Sequence, residues 1–312
     1  MYPDSLFELE IGSFRFAPNL YGTMIAVGIL AAFAVLYLYG KKTNVKVQFL
    51  DFIFYNSIAA ILIGFGSAAL FQATYNYLEN PSISYIEHLK GGSITFIGGL
   101  IGGAAAFLAV YFIIRKRLDG KLLDAISLIP CCILVAHAFG RIGCFFVGCC
   151  HGIPTDSFWG VQFPHLSEKV YPTQLYEAIF LFIMFAVCSF LLLKKKRFNH
   201  NMSLYLVSYG IFRFLIEYIR GDDRGEFVKL FSPSQFWSLG MIALGVALYF
   251  VLEPMFKKRA LAESAETADD GAQTIVEEAS ENVELAEPEP EEADSTDSPE
   301  NVDPDEPDTT EN

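Results

Sequence analysis

The sequence predicts an all-α polytopic membrane protein, a bundle of seven transmembrane helices, and three observations lead there. Hydrophobic residues make up 53% of the 312. Seven separate apolar stretches reach about the 20 residues that a helix needs to cross a hydrocarbon core of roughly 30 Å. Lys and Arg gather on alternate connections between them. The stretches run over Pro18–Tyr39, Phe49–Phe71, Ile94–Ile114, Leu122–Phe146, Gln174–Leu193, Met202–Ile219 and Phe236–Leu252. Buried helices of a large soluble core would carry a polar face, and these stretches have none.

Taken in order, the first stretch follows Asp4, Glu8 and Glu10 with only Arg15 for balance. A cleavable signal peptide would begin with a basic segment, so this stretch reads as a retained span. The basic clusters are Lys41, Lys42 and Lys46; Arg115, Lys116, Arg117 and Lys121; Lys194, Lys195, Lys196 and Arg197; and Lys257, Lys258 and Arg259. With seven crossings all four fall on one side, which the positive-inside rule makes cytoplasmic. The N-terminus is then outside and the C-terminus inside.

The formal charge of −14 divides unevenly. Residues 261–312 hold 20 of the 36 acidic residues and no Lys or Arg, leaving 22 basic against 16 acidic residues in the rest. The reading is a membrane domain over 1–255 and an acidic tail over 256–312, too polar to bury a core and therefore disordered. The tail's acidity argues against nucleic acid, and the loops are too short for a further domain.

Ionisable residues inside spans are costly and usually functional. At about 1.5 Å per residue, a fourth span starting at Leu122 puts His137 roughly 22 Å and Arg141 roughly 28 Å along it. The same rise puts Arg213, Glu217 and Arg220 roughly 16, 22 and 27 Å along the sixth span. Tyr21 and the Gly98–Gly99 pair lie near the outer ends of their spans. The polar chemistry thus converges on the outer half of the membrane. His137, Arg141 and Cys144 share one helix face, as do Tyr209, Arg213, Glu217 and Arg220. Arg213 and Glu217 can pair with each other. A pair of Arg residues also suits a phosphate, whose oxygens match the guanidinium fork, and at that depth the phosphate is a lipid headgroup. Gly98, Gly99, Gly102 and Gly103 suit close helix packing as well as a site.

Cys144, Cys149, Cys150 and His151 cluster after the fourth span. Their spacing fits zinc ligation poorly, so no metal is expected. A disulfide from Cys144 to Cys149 or Cys150 and plain small packing residues both remain open.

Five segments together resemble the bacterial prolipoprotein diacylglyceryl transferase family. They are Gly140-Arg141-Ile142-Gly143-Cys144-Phe145; Tyr171-Pro172-Thr173-Gln174-Leu175-Tyr176-Glu177; Thr95-Phe96-Ile97-Gly98-Gly99-Leu100-Ile101-Gly102; Tyr21-Gly22; and Tyr209-Gly210-Ile211-Phe212-Arg213-Phe214-Leu215-Ile216-Glu217. The likeness covers roughly residues 15–252. It implies a bacterial plasma-membrane enzyme that needs no cofactor, with its active site on the extracytoplasmic side; a monomer is the default expectation. Its expected activity moves the diacylglyceryl group of phosphatidylglycerol to the thiol of a prolipoprotein's lipobox cysteine and releases glycerol phosphate. By position, Arg141 and Arg213 engage the lipid phosphate, with Tyr21, Gly98 and Gly99 beside them and Tyr209 and Glu217 shaping the site.

This chain departs from the best-known members at several positions. It has Ile97 where they have His before the glycine pair, Cys144, Val147 and Cys149 where they have Asn, Asn and Glu, and Ser67 and Ala68 where an Arg is usual. It resembles a variant subgroup with His before the Gly-Arg and a Gly-Cys-Cys segment after it. His137 is then the expected proton acceptor, since its ordinary pKa near 6.5 suits the role. His151 is its rival, and Arg220 and Gln174 are further site candidates. The alternatives are a paralogous transferase with another thiol or lipid, and a non-catalytic lipid-binding or transport protein. Transport would predict internal repeats and helices broken near the midplane, and the two halves show no repeat.

Overall fold

The computed structural model describes residues 9–11, 14–16, 19–91, 95–194, 199–221 and 231–284. Asp4, Glu8, Pro18, Ile94, Lys195, Lys196, Arg197, the tail beyond Glu284 and the side chain of Ile97 lie outside the described residues. A short antiparallel hairpin, β1 (Leu9–Ile11) with β2 (Phe14–Phe16), pairs Leu9 with Phe16 and precedes the helices. The helices are α1 (Leu20–Lys42), α2 (Val47–Glu79), α3 (Tyr85–Lys90), α4 (Phe96–Ile114), α5 (Leu122–Ala125), α6 (Ile129–Val147), α7 (Thr173–Lys194), α8 (Asn201–Ile216) and α9 (Pro233–Glu284), with a long non-helical connection between α6 and α7.

Seven helices are long and apolar enough to cross a membrane, and within each span only 11% to 33% of residues are buried. Leu62, Ile113 and Phe250 are among many large apolar side chains turned outward. In water such a surface would drive aggregation, whereas against lipid tails it is the expected exterior. The core lies between helices, where Phe49, Leu50, Leu128, Cys131, Leu134, Leu181 and Cys188 are fully buried. Polar clamps hold the spans in register. Asn201 Nδ2 donates to the backbone oxygens of Ser127 and Cys188, both at 3.0 Å, and Asn56 Nδ2 donates to Phe107 O at 3.0 Å.

Local chemistry sets the helix ends. The Asn19 side chain accepts from Gly22 N at 2.8 Å and caps α1. Gly148, at φ 78°, ends α6 in the left-handed conformation that glycine adopts without strain. The fourth span differs from the sequence reading. Leu122–Ala125 is a separate single turn, and α6 starts only at Ile129, with Pro130 in its first turn, where a missing N–H is harmless. Counted from Ile129, His137 lies about 12 Å and Arg141 about 18 Å along a shorter helix, while their distances from its C-terminal end at Val147 are nearly those of the longer span.

Two compact units divide between Phe256 and Lys257. The sequence reading leaves 256–312 unfolded, yet the backbone is helical to Glu284. The reason is composition: between Lys257 and Glu284, Ala and Glu dominate, and both are strong helix formers.

Candidate functional site

The charged side chains of α6, α7 and α8 assemble around two buried carboxylates. Glu177 stands one turn into α7 and is only 1% exposed. Its Oε1 accepts a hydrogen bond from Tyr209 Oη at 2.7 Å. Arg141 Nε lies 2.9 Å from the same oxygen, close enough for an ion pair although not aligned as a hydrogen bond. His137 Nε2 lies 3.6 Å away, and its ring meets the Tyr209 ring edge-on at 5.1 Å. Two side chains of α6 and one of α8 therefore converge on a single oxygen of α7. A carboxylate this deep needs such partners, because an unpaired buried charge is far costlier than a paired one.

Glu217 is the second centre. It begins the 3₁₀ turn, Glu217–Ile219, into which α8 loosens. Its Oε2 takes Arg213 Nη1 in a short contact, with Arg220 Nε 3.8 Å away. Its Oε1 accepts from Ser232 Oγ at 2.9 Å, while Arg213 Nη2 donates to Ser234 Oγ at 2.8 Å. Arg213 also acts electrostatically on Glu177 and His137, so the two centres form one charged site.

The chain after α6 closes over this site. Gly152 pairs with Arg220 as an isolated bridge, and Ile153 N donates to Ile219 O at 2.9 Å. From α7, Thr173 Oγ1 donates to Cys150 O at 2.8 Å and Gln174 Nε2 donates to Cys149 O. Gln174 thus holds the cysteine turn. His151 packs beside Phe163 and His165, with Nδ1 3.0 Å from Gly152 O. Tyr21 lies against Gly143 of α6 and is partly exposed.

The structure places Gly98 and Gly99 against α2. A Cβ on Gly99 would stand 3.3 Å from Gly64 O, and Ser67 Oγ donates to Gly98 O at 2.8 Å. The sequence reading left Glu177 without a role, although it is the lone carboxylate in an apolar span and that signal was available. Ser232 and Ser234 carried no signal, because only the folded chain brings the start of α9 to the end of α8. Arg141 and Arg213 each face a carboxylate, Glu177 and Glu217, and the second pairing is the one that helical spacing allows. A guanidinium carries five N–H donors, more than one carboxylate takes up.

All six cysteines are unbridged. The sulfurs of Cys144, Cys149 and Cys150 lie within 4.8 Å of one another. Hydrogen bonds from the Cys144 and Cys149 thiols, with Arg220 and Arg141 nearby, pull the Cys150 thiol below its ordinary range. The contacts with Cys144 and Cys150 push Cys149 up.

The model of the prolipoprotein diacylglyceryl transferase family matches residues 8–251. The chain belongs to this family. Curated relatives agree. The phosphatidylglycerol–prolipoprotein diacylglyceryl transferase of Clostridium tetani is 35% identical over 237 residues, which are 73% of this chain and 91% of that protein. Transferase 2 of Clostridium perfringens is 32% identical over 240 residues, 73% of this chain and 89% of that one. The Finegoldia magna protein is 28% identical over 241 residues, 77% and 91% of the two chains.

Proposed function

We propose that the chain transfers the diacylglyceryl group of phosphatidylglycerol to the lipobox cysteine of prolipoproteins, the first step of their maturation. The observation that carries the reading is the family match over residues 8–251, whose limits enclose every charged residue of the α6–α8 site. In this reading the acceptor sulfur attacks the glyceryl carbon next to the phosphate ester. An S–C bond forms as the C–O bond breaks, and the electron pair leaves on the phosphate oxygen as glycerol phosphate. The thiol proton goes to His137.

Arg141 and Arg213 stabilise the phosphate as it departs, because preorganised donors in a dry site need no reorganisation when charge develops. Glu177 and Glu217 hold these guanidiniums in place and keep a buried pair of cations tolerable before lipid arrives. Tyr209 fixes the Glu177 carboxylate through its 2.7 Å hydrogen bond, and Tyr21 lines the approach from α1. The basic residues Lys41 and Lys42 in the last turn of α1 and Lys194 in the last turn of α7 lie at the ends of those helices opposite Tyr21 and Glu177. The positive-inside rule then faces the site away from the cytoplasm, in the plasma membrane of a bacterium.

The test incubates the purified chain with phosphatidylglycerol vesicles and a lipobox peptide and looks for the thioether product by mass spectrometry. The expected result is product that needs the peptide's cysteine and falls about 100-fold or more with Arg141→Ala, the scale of losing a transition-state donor. A folded chain that binds phosphatidylglycerol and never forms the thioether would overturn the reading in favour of non-catalytic lipid binding.

A further inference from the structure

We infer that Cys144, Cys149 and Cys150 form a three-thiolate zinc site whose open fourth position takes the thiol of the acceptor substrate. The inference rests on the transfer reaction proposed above and adds the means by which the acceptor thiol is ionised.

The geometry comes first. The three sulfurs lie within 4.8 Å of one another. Thiolates at about 2.3 Å from a tetrahedral zinc stand about 3.8 Å apart, so metal entry asks for only a small contraction. Linear spacing does not foretell this, because five residues and then one match no usual zinc pattern. The fold supplies what spacing lacks. Cys144 sits in the last turn of α6, Gly148 reverses the chain at φ 78°, and Cys149 and Cys150 come back over Cys144.

The reversal is also held under strain. Cys150 has φ 62°, a left-handed conformation that disfavours any residue with a Cβ. Thr173 and Gln174 pin the carbonyls of Cys150 and Cys149 from α7. A strained residue that its surroundings over-determine is a recurring feature of ligand-holding backbone.

The ligand count points to the role. Among the described residues no fourth His, Cys, Asp or Glu joins the trio. Zinc with four protein ligands is structural, whereas three ligands and an open position mark a site where zinc meets substrate. Three thiolates with one Zn²⁺ carry one net negative charge, and Arg141 and Arg220 both act on Cys150 to offset it. Arg141 also faces Glu177, so the metal would stand beside the charged site.

A thiol that coordinates zinc gives up its proton. The acceptor would therefore arrive as a metal-held thiolate, with its proton passed to His137. That sulfur forms the S–C bond to the glyceryl carbon as the C–O bond breaks and glycerol phosphate leaves. The product is a neutral thioether, a weaker ligand, and it departs from the metal. Zinc changes no oxidation state.

The experiment uses the full chain purified in detergent. Metal analysis should find about one zinc per chain, lost in Cys149→Ser and in Cys150→Ser. Because those variants could misfold, the decisive arm keeps the natural chain. Zinc is removed with a chelator and replaced by Co²⁺, and the thiolate-to-cobalt absorption is followed while lipobox peptide is added. The band should grow with the peptide and stay unchanged with its Cys→Ser form. Thioether formation should fall about 100-fold or more without metal, the scale of losing proton transfer, and return with Zn²⁺. Full turnover by the metal-free chain would overturn the zinc site and leave the transferase reading intact. A disulfide within the trio, or no cobalt uptake, would overturn it as well. A cobalt band that answers the peptide, with no thioether under any condition, would keep the thiol site and remove the transfer.

Discussion

Two helix pairings in this bundle are built from opposite materials. Between α2 and α4 the contact is made by absence: Gly64, Gly99 and Gly103 bring backbones together, with a Cβ on Gly103 only 3.1 Å from Ala60 O. Between α6, α7 and α8 the contact is made by charge, with Arg141, His137 and Tyr209 converging on Glu177. Both regions carry sequence segments typical of the family, yet one shows close backbone packing and the other paired charges. In lipid there is no hydrophobic drive between helices, so close backbone fit and buried polar contacts are the two available adhesives.

The comparison is broken most severely at its hub. Glu177→Gln keeps the shape and removes the charge that Arg141 faces. Thermal unfolding in detergent should report a loss of about 3–5 kcal/mol, as for breaking one side of a buried pair. Thioether formation should fall in parallel. Next comes His137→Ala, for which the expected fall is about 100-fold or more in turnover with the fold retained. Full turnover by that variant would remove His137 as the proton acceptor.

Gly103→Leu probes the other region. It should cost about 1–3 kcal/mol of stability through overpacking, while kcat of the folded fraction stays unchanged. A fall in kcat at unchanged stability would instead carry the site across to α4 and restore a role for its glycines. Of similar size is the effect of Tyr209→Phe, which removes the hydrogen bond to Glu177 and nothing else. Its expected cost is about 1.5–3 kcal/mol or less, with Arg141 still beside the carboxylate. Activity and melting temperature measured on the same preparation separate the two contributions.

Most of the architecture was legible in the sequence. Length and apolarity mark the spans, and all seven recur as helices. Helical spacing alone puts His137 and Arg141 on one face of α6, and it allowed the pair that Arg213 and Glu217 form. The start of the fourth span was less legible. A continuous apolar run from Leu122 concealed the break before Ile129, because apolarity reports residence in a membrane and not where a helix begins. In the acidic segment, charge argues for disorder while the Ala and Glu residues of its first part stand in a helix that runs to Glu284.

The sequence by itself determined the family, the seven spans and the residue types gathered near one end of the bundle, since these follow from local composition and motif order. Tertiary structure alone decided which oxygen each cation meets. It turned Glu177 from an unremarked member of a motif into the centre of the site, and it brought Ser232 and Ser234 to Glu217 and Arg213. It drew three cysteines with no metal-like spacing to within 4.8 Å. The reason is physical. A charge in an apolar setting must find a partner wherever the fold places one, and linear order carries no record of distances between separate helices.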